Sequence, residues 1–210
     1  MRDKYDIIGT STKLVLRKGR IEDQDVDAIV NWVNVDMQSG PNSFYRIHDK
    51  AGIQLFEHTI AFDSSVKEGD SILTRAGMLP CNIVLHAVVP VHKQTYLRCF
   101  YNMMENIKTY KKRKLLKTLA LYIPEYPDLC LAGVKEFLLD LGLEEVVIVY
   151  ITDNEFSKIT SFFEEFVVKR SRRDRLEAAF WSGMSRLGAL RYKWPEKIIS
   201  SILRTRPSVS

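Results

Sequence analysis

Cysteine is scarce in this chain, and the three present, Cys81, Cys99 and Cys130, are odd in number and never spaced as C-x-x-C. That argues against a disulfide framework or a cysteine zinc site and leaves all three as small core residues. Long apolar runs are missing too. No window approaches the roughly 18 consecutive apolar residues of a membrane span, and residues 1–10 lack the apolar stretch of a signal peptide. A cytoplasmic or nuclear location is therefore expected. No glycine occurs between Gly77 and Gly133, so a glycine-rich loop able to cradle a phosphate is excluded over that stretch. The histidines, His48, His58, His86 and His92, are dispersed, and neither a metal spacing nor a nucleophile–base constellation emerges from their order. No metal and no cofactor is expected.

What is present reads as a globular chain, with 46% apolar and 27% charged residues. Its charge of +5 is divided unevenly. Residues 169–210 hold eleven Lys/Arg against three Asp/Glu, a net of +8, which leaves −3 for residues 1–168. Two segments follow: a body over 1–168 and a basic tail over 169–210.

Within the body, residues 13–17 and 27–30 read as strands. Residues 43–56 place Phe44, Ile47, Ala51 and Leu55 on one helical face. Strands follow at 71–75 and 82–89, a helix at 96–110, and a strand at 115–123. The pattern closes with a helix over 128–141, the strand 145–151 and a helix opened by Asp153. Strands alternating with amphipathic helices imply a three-layer α/β/α domain on a mixed, mostly parallel sheet. In the tail, residues 171–192 and 194–203 have the spacing of amphipathic helices.

Three stretches carry a resemblance. VDAIVNWVN (residues 26–34), RIHDKAG (46–52) and LPCNIVLHAVVP (79–90) are similar, in order and spacing, to the signature of macro domains, and AGMLPC and DLCLAGV are most like the macro modules of poly-ADP-ribose polymerases. The resemblance covers roughly residues 13–168. It implies the macro-domain fold and an ancestral ligand, ADP-ribose, held by backbone N–H groups from glycine-rich loops and helix N-termini. It also implies ligand-binding positions at Asn31, Asn34, Gly40, Val88, Val89, Pro90 and Tyr126.

The chain departs from the family where the ligand is gripped. The family's adenine-contacting Asp in G-D-I is replaced in Gly19-Arg20-Ile21, and a guanidinium offers donors only. Between Asn34 and the helix only Gly40 survives of several glycines, followed by Pro41, which has no N–H. Phe44 stands where family hydrolases often carry a small acidic residue. The second phosphate loop keeps Tyr126-Pro127 but lacks its Ser/Thr-x-Gly element. Three of four grips are altered, so no catalytic residue is assigned.

Two non-catalytic readings stay open ahead of hydrolysis. In one, the chain is a recognition module with weak or lost ADP-ribose binding, whose partner is ADP-ribose or an ADP-ribosylated protein. In the other, the fold is repurposed for protein or RNA contacts through Lys111, Lys112, Arg113 and Lys114 and through Arg172, Arg173 and Arg175 of the tail.

Overall fold

In the computed structural model, three stretches of six residues are inner strands of the sheet: β3 (Ala28–Val33), β5 (Ile83–Val88) and β7 (Glu145–Tyr150). β3 and β5 are buried at every position, as near-continuous apolar strands covered on both faces must be. The residues described are 2–6, 11–37, 43–62, 66–89, 96–112, 114–123, 127–139 and 141–168. Gly40, Pro90, Arg113 and Tyr126 lie outside them. So does the whole of 169–210, with Arg172, Arg173, Arg175 and the amphipathic pattern read there.

The remaining strands are β1 (Arg2–Asp6), β2 (Lys13–Lys18), β4 (Ser71–Arg75) and β6 (Thr118–Tyr122). The seven strands lie in the order β1-β2-β7-β6-β3-β5-β4. The five inner strands run parallel, and β1 and β4 join the edges antiparallel. This is the mixed, mostly parallel sheet expected. β1 is an addition, since RDKYD shows no apolar alternation and joins the sheet by backbone pairing with β2.

On one face Val15, Ile29, Val84, Ala120 and Val147 pack against Ile47, Ala51 and Leu55, from α1 (Ser43–Ala51) and α2 (Ile53–Ile60). The sequence reads this pair as one helix. Gly52, at φ 80° and ψ −177°, breaks it, because only glycine enters that backbone region without strain. The other face is covered by α3 (Tyr96–Lys111), α4 (Pro127–Gly133) and α5 (Asp153–Val168). Trp32 reaches Tyr96 and Phe100 there.

The helix expected over 128–141 ends instead in a π turn, Val134–Leu138, with Leu139 N–H donating to Val134 O at 3.2 Å. Gly133 precedes it, and a Cβ on that residue would sit 2.3 Å from Phe100 Cδ2. Its φ of −62° is helical, so propensity alone would favour alanine by about 1 kcal/mol. Phe100 is fully buried and cannot yield, so overpacking wins. Gly133→Ala is expected to lose about 1–3 kcal/mol in urea denaturation.

Candidate functional site

The parallel strands end together on one edge of the sheet. From β3 the chain moves towards β5 and β4, and from β6 it moves the other way, to β7. β3 and β6 are thus the neighbours at which the winding reverses, and open α/β sheets bind ligands outside the carboxyl ends of such a pair. The ladder is also short here. β3 pairs with β5 along all six residues but with β6 only through Ala28↔Leu119 and Ile29↔Ala120.

The rim after β2 is tightly fastened. Ile21 is buried in the core, and Glu22 beside it is 4% exposed and ion-paired to Arg46 of α1 at 2.9 Å. Asp23 meets Lys50 of α1 at 2.5 Å. Arg17 Nη1 donates to Gln24 Oε1 at 2.9 Å, and Gln24 Nε2 donates to the Arg20 carbonyl at 2.6 Å. The exposed Lys50 pair contributes about 0–1 kcal/mol. Loss of Arg46 would cost far more, because it would leave a buried carboxylate. At the turn itself the Arg20 side chain is exposed.

The two asparagines occupy different environments. Asn31 is fully buried, and its Nδ2 lies 3.3 Å from His86 Nδ1. Asn34 follows β3 at the carboxyl edge, exposed, its carbonyl accepting Met37 N–H at 3.0 Å. Val88 is buried with Val33 and Met37, and Val89 N–H donates to Val33 O at 2.7 Å, joining the two strand ends. The structure therefore brings Asn34, Val88 and Val89 to one edge and sends Asn31 into the layer beneath α1.

In that layer His86 Nε2 lies 2.9 Å from Thr74 Oγ1. Because the Asn31 amide nitrogen can only donate, His86 Nδ1 accepts and Nε2 carries the proton to Thr74. Burial, with a smaller contribution from His48, holds His86 down at about 3, and burial lowers His48 as well. Both are neutral at pH 7. Burial pushes the Cys81 and Cys99 thiols up to about 12, so neither is a thiolate nucleophile at neutral pH. Among the described residues no group of three or more His, Cys, Asp or Glu is placed to hold a metal. No described helix is long and apolar enough to cross a membrane.

Away from this edge, Lys111 Nζ donates to Leu141 O and Gly142 O, both at 2.8 Å. It ties α3 to the turn before β7, while Lys112 and Lys114 are exposed. Sequence reasoning passed over Glu22, Gln24, Arg46 and Trp32. Glu22 carried no signal, since its partner Arg46 is distant in sequence and leaves no period, while Gln24 bonds within its own turn, to Arg17 and the Arg20 carbonyl. Trp32 stood in full view inside the N-x-x-N signature, as a residue the signature does not specify.

A mixed sheet between helical layers, with its winding reversed between β3 and β6, defines a macrodomain-type α/β/α fold. Residues 30–121 match the macro domain family, and the chain carries that family's fold. A macrodomain of Oceanobacillus iheyensis with ADP superimposes at a TM-score of 0.69 with 19% identity, covering 80% of this chain and 98% of that one. A macro domain-containing protein of Listeria monocytogenes is 33% identical over 84 residues, 39% of this chain and 48% of that protein. Mouse protein mono-ADP-ribosyltransferase PARP9 is 27% identical over 140 residues, 62% of this chain and 16% of that protein. The chain thus spans about half the length, or less, of these curated relatives.

Proposed function

We propose that this chain is a divergent, non-catalytic recognition module whose cleft retains a weakened affinity for ADP-ribose. The observation that carries the reading is Arg20. It stands exposed at the turn after β2, where the family resemblance calls for a carboxylate acceptor to the adenine amine. The turn around it is intact, held by Gln24 and by the ion pairs of Glu22 and Asp23. What changed at this end of the cleft is the chemistry of one side chain and not the frame. Asn34 and the Val89–Val33 bond keep the opposite side of the crevice in place.

Hydrolysis is disfavoured because it needs the distal ribose held while a water is positioned on the scissile bond, and positioning supplies much of the rate. A ligand gripped at fewer points reacts from a wider set of poses.

The test is calorimetric titration with ADP-ribose, with AMP as the comparison, on the wild type and on Arg20→Asp. The wild type should bind ADP-ribose weakly. Arg20→Asp should raise affinity about tenfold, since a hydrogen bond to a carboxylate contributes about 1.5–3 kcal/mol. No binding by either protein up to millimolar ligand would overturn the reading and turn attention to the exposed Lys112 and Lys114.

A further inference from the structure

We infer that Trp32 is a positioning residue for this cleft: its indole N–H replaces the missing β3–β6 ladder and holds the carboxyl end of β6 in place. The inference rests on the reading of the β3/β6 crevice as the ligand cleft.

The ladder between these strands stops after Ile29 and Ala120. Beyond that point β6 pairs with β7 but not with β3, and a carbonyl that leaves the ladder needs another donor. The Tyr122 carbonyl finds one in Trp32 Nε1, at 2.9 Å. The direction of this bond is unambiguous, because the indole nitrogen only donates. It needs neither a tautomer choice nor an amide orientation.

The donor is itself held. Trp32 is 1% exposed. Its ring stacks on Tyr96 at 6.2 Å between centroids, with an interplanar angle of 26°, and tilts against Phe100 at 5.7 Å. Both partners belong to α3 and are fully buried. Tyr122 is meanwhile packed from the opposite face, where its side chain lies against the core beneath α1 and α2. The end of β6 is therefore gripped from both layers, its side chain by one and its carbonyl by the other. Trp32 lies two residues before Asn34, so the same residue couples the ends of β3 and β6 that border the crevice.

A small residue between the two asparagines would take this donor away from the Tyr122 carbonyl. The tryptophan supplies it and ties the end of β6 to β3. Its contribution is geometric, so the test must separate fixing the strand end from merely filling the core.

Trp32→Phe keeps an aromatic ring among Tyr96 and Phe100 and removes the N–H together with part of the buried ring volume, a general loss of packing that the Ile29 reference registers. Amide hydrogen exchange is to be followed at Tyr122 and Ile123, with Ile29 as the internal reference, and ADP-ribose affinity measured by calorimetry. The expected result is exchange faster by about tenfold at Tyr122 and Ile123, no change at Ile29, and affinity lower by about tenfold. In the wild type the Trp32 indole proton should exchange at least about a hundredfold more slowly than that of free indole, a measurement that stands even where the variant fails to fold.

Unchanged exchange at Tyr122 and Ile123, or a wild-type indole proton exchanging at the free rate, overturns the inference. Faster exchange with undiminished ADP-ribose affinity overturns it as well. Should the wild type bind no ADP-ribose, the proposed function fails by itself, and the exchange measurements alone decide whether Trp32 positions the strand end.

Discussion

Between pH 7 and pH 5 the protein is expected to lose about 2 kcal/mol of stability through His86 alone, with His48 adding loss in the same direction. His86 is fully buried and held neutral, its pKa lowered from 6.5 to about 3 by burial and by His48. An unfolded chain takes up a proton on this residue below about pH 6.5, whereas the folded protein does not until near pH 3. Acid therefore favours the unfolded state. The contribution is complete above pH 6.5 and is lost progressively as the pH falls towards 3. The geometry agrees, because Nδ1 faces the Asn31 amide donor and has no acceptor for a second proton.

Urea denaturation at pH 7, 6 and 5 measures the effect. His48→Gln should shrink the difference between pH 7 and pH 5, since it removes both the lowered titration of His48 and its push on His86. A flat profile from pH 7 to pH 5 would mean that one of these rings accepts a proton inside the folded protein.

Asp27→Ala should cost about 3 kcal/mol or more, although the side chain is only half-buried. Its Oδ2 accepts the Lys117 N–H at 2.7 Å, the Thr118 N–H at 2.9 Å and the Thr118 hydroxyl at 3.1 Å. Its own N–H donates to Thr118 Oγ1 at 2.8 Å, and its carbonyl accepts from Asn82 and Ile83. One residue thereby gathers the starts of β3, β5 and β6. Hydrogen bonds to a charged acceptor contribute about 1.5–3 kcal/mol each where burial is substantial, discounted here for partial exposure. Asp27→Asn keeps one acceptor oxygen and should cost less. The two variants compared by urea midpoint at pH 7 check the ordering, and an Ala variant within 1 kcal/mol of wild type would show that the strand starts hold without this carboxylate.

The two carboxyl-edge features of the site differ in how visible they were. Asn34 was legible because its type and spacing belong to a signature, and the chain places it on the edge where the strands end. Asn31 carried the same label and went elsewhere. At two residues' remove from Val33 and Ile29 it shares their side of the strand, and that side faces α1 and the buried His86. A period of two assigns a face but does not reveal what covers it. The rim after β2 was half legible. Arg20 could be read as a lost acceptor, while the pairing of Glu22 with Arg46 and Asp23 with Lys50 depends on α1 folding back over the turn.

Residue order alone sufficed for the class of sheet, the alternation of strands and helices, the family signature and the substitution at Arg20. These follow from local periodicity and from contiguous motifs, which residues carry with them wherever the chain goes. Packing in three dimensions decided the break at Gly52, the π turn against Phe100, the burial of Asn31 and the bond from Trp32 to the end of β6. Each of these joins groups that are distant in sequence or depends on how closely two layers approach, and neither distance nor approach is written in the spacing of side chains along a strand or helix.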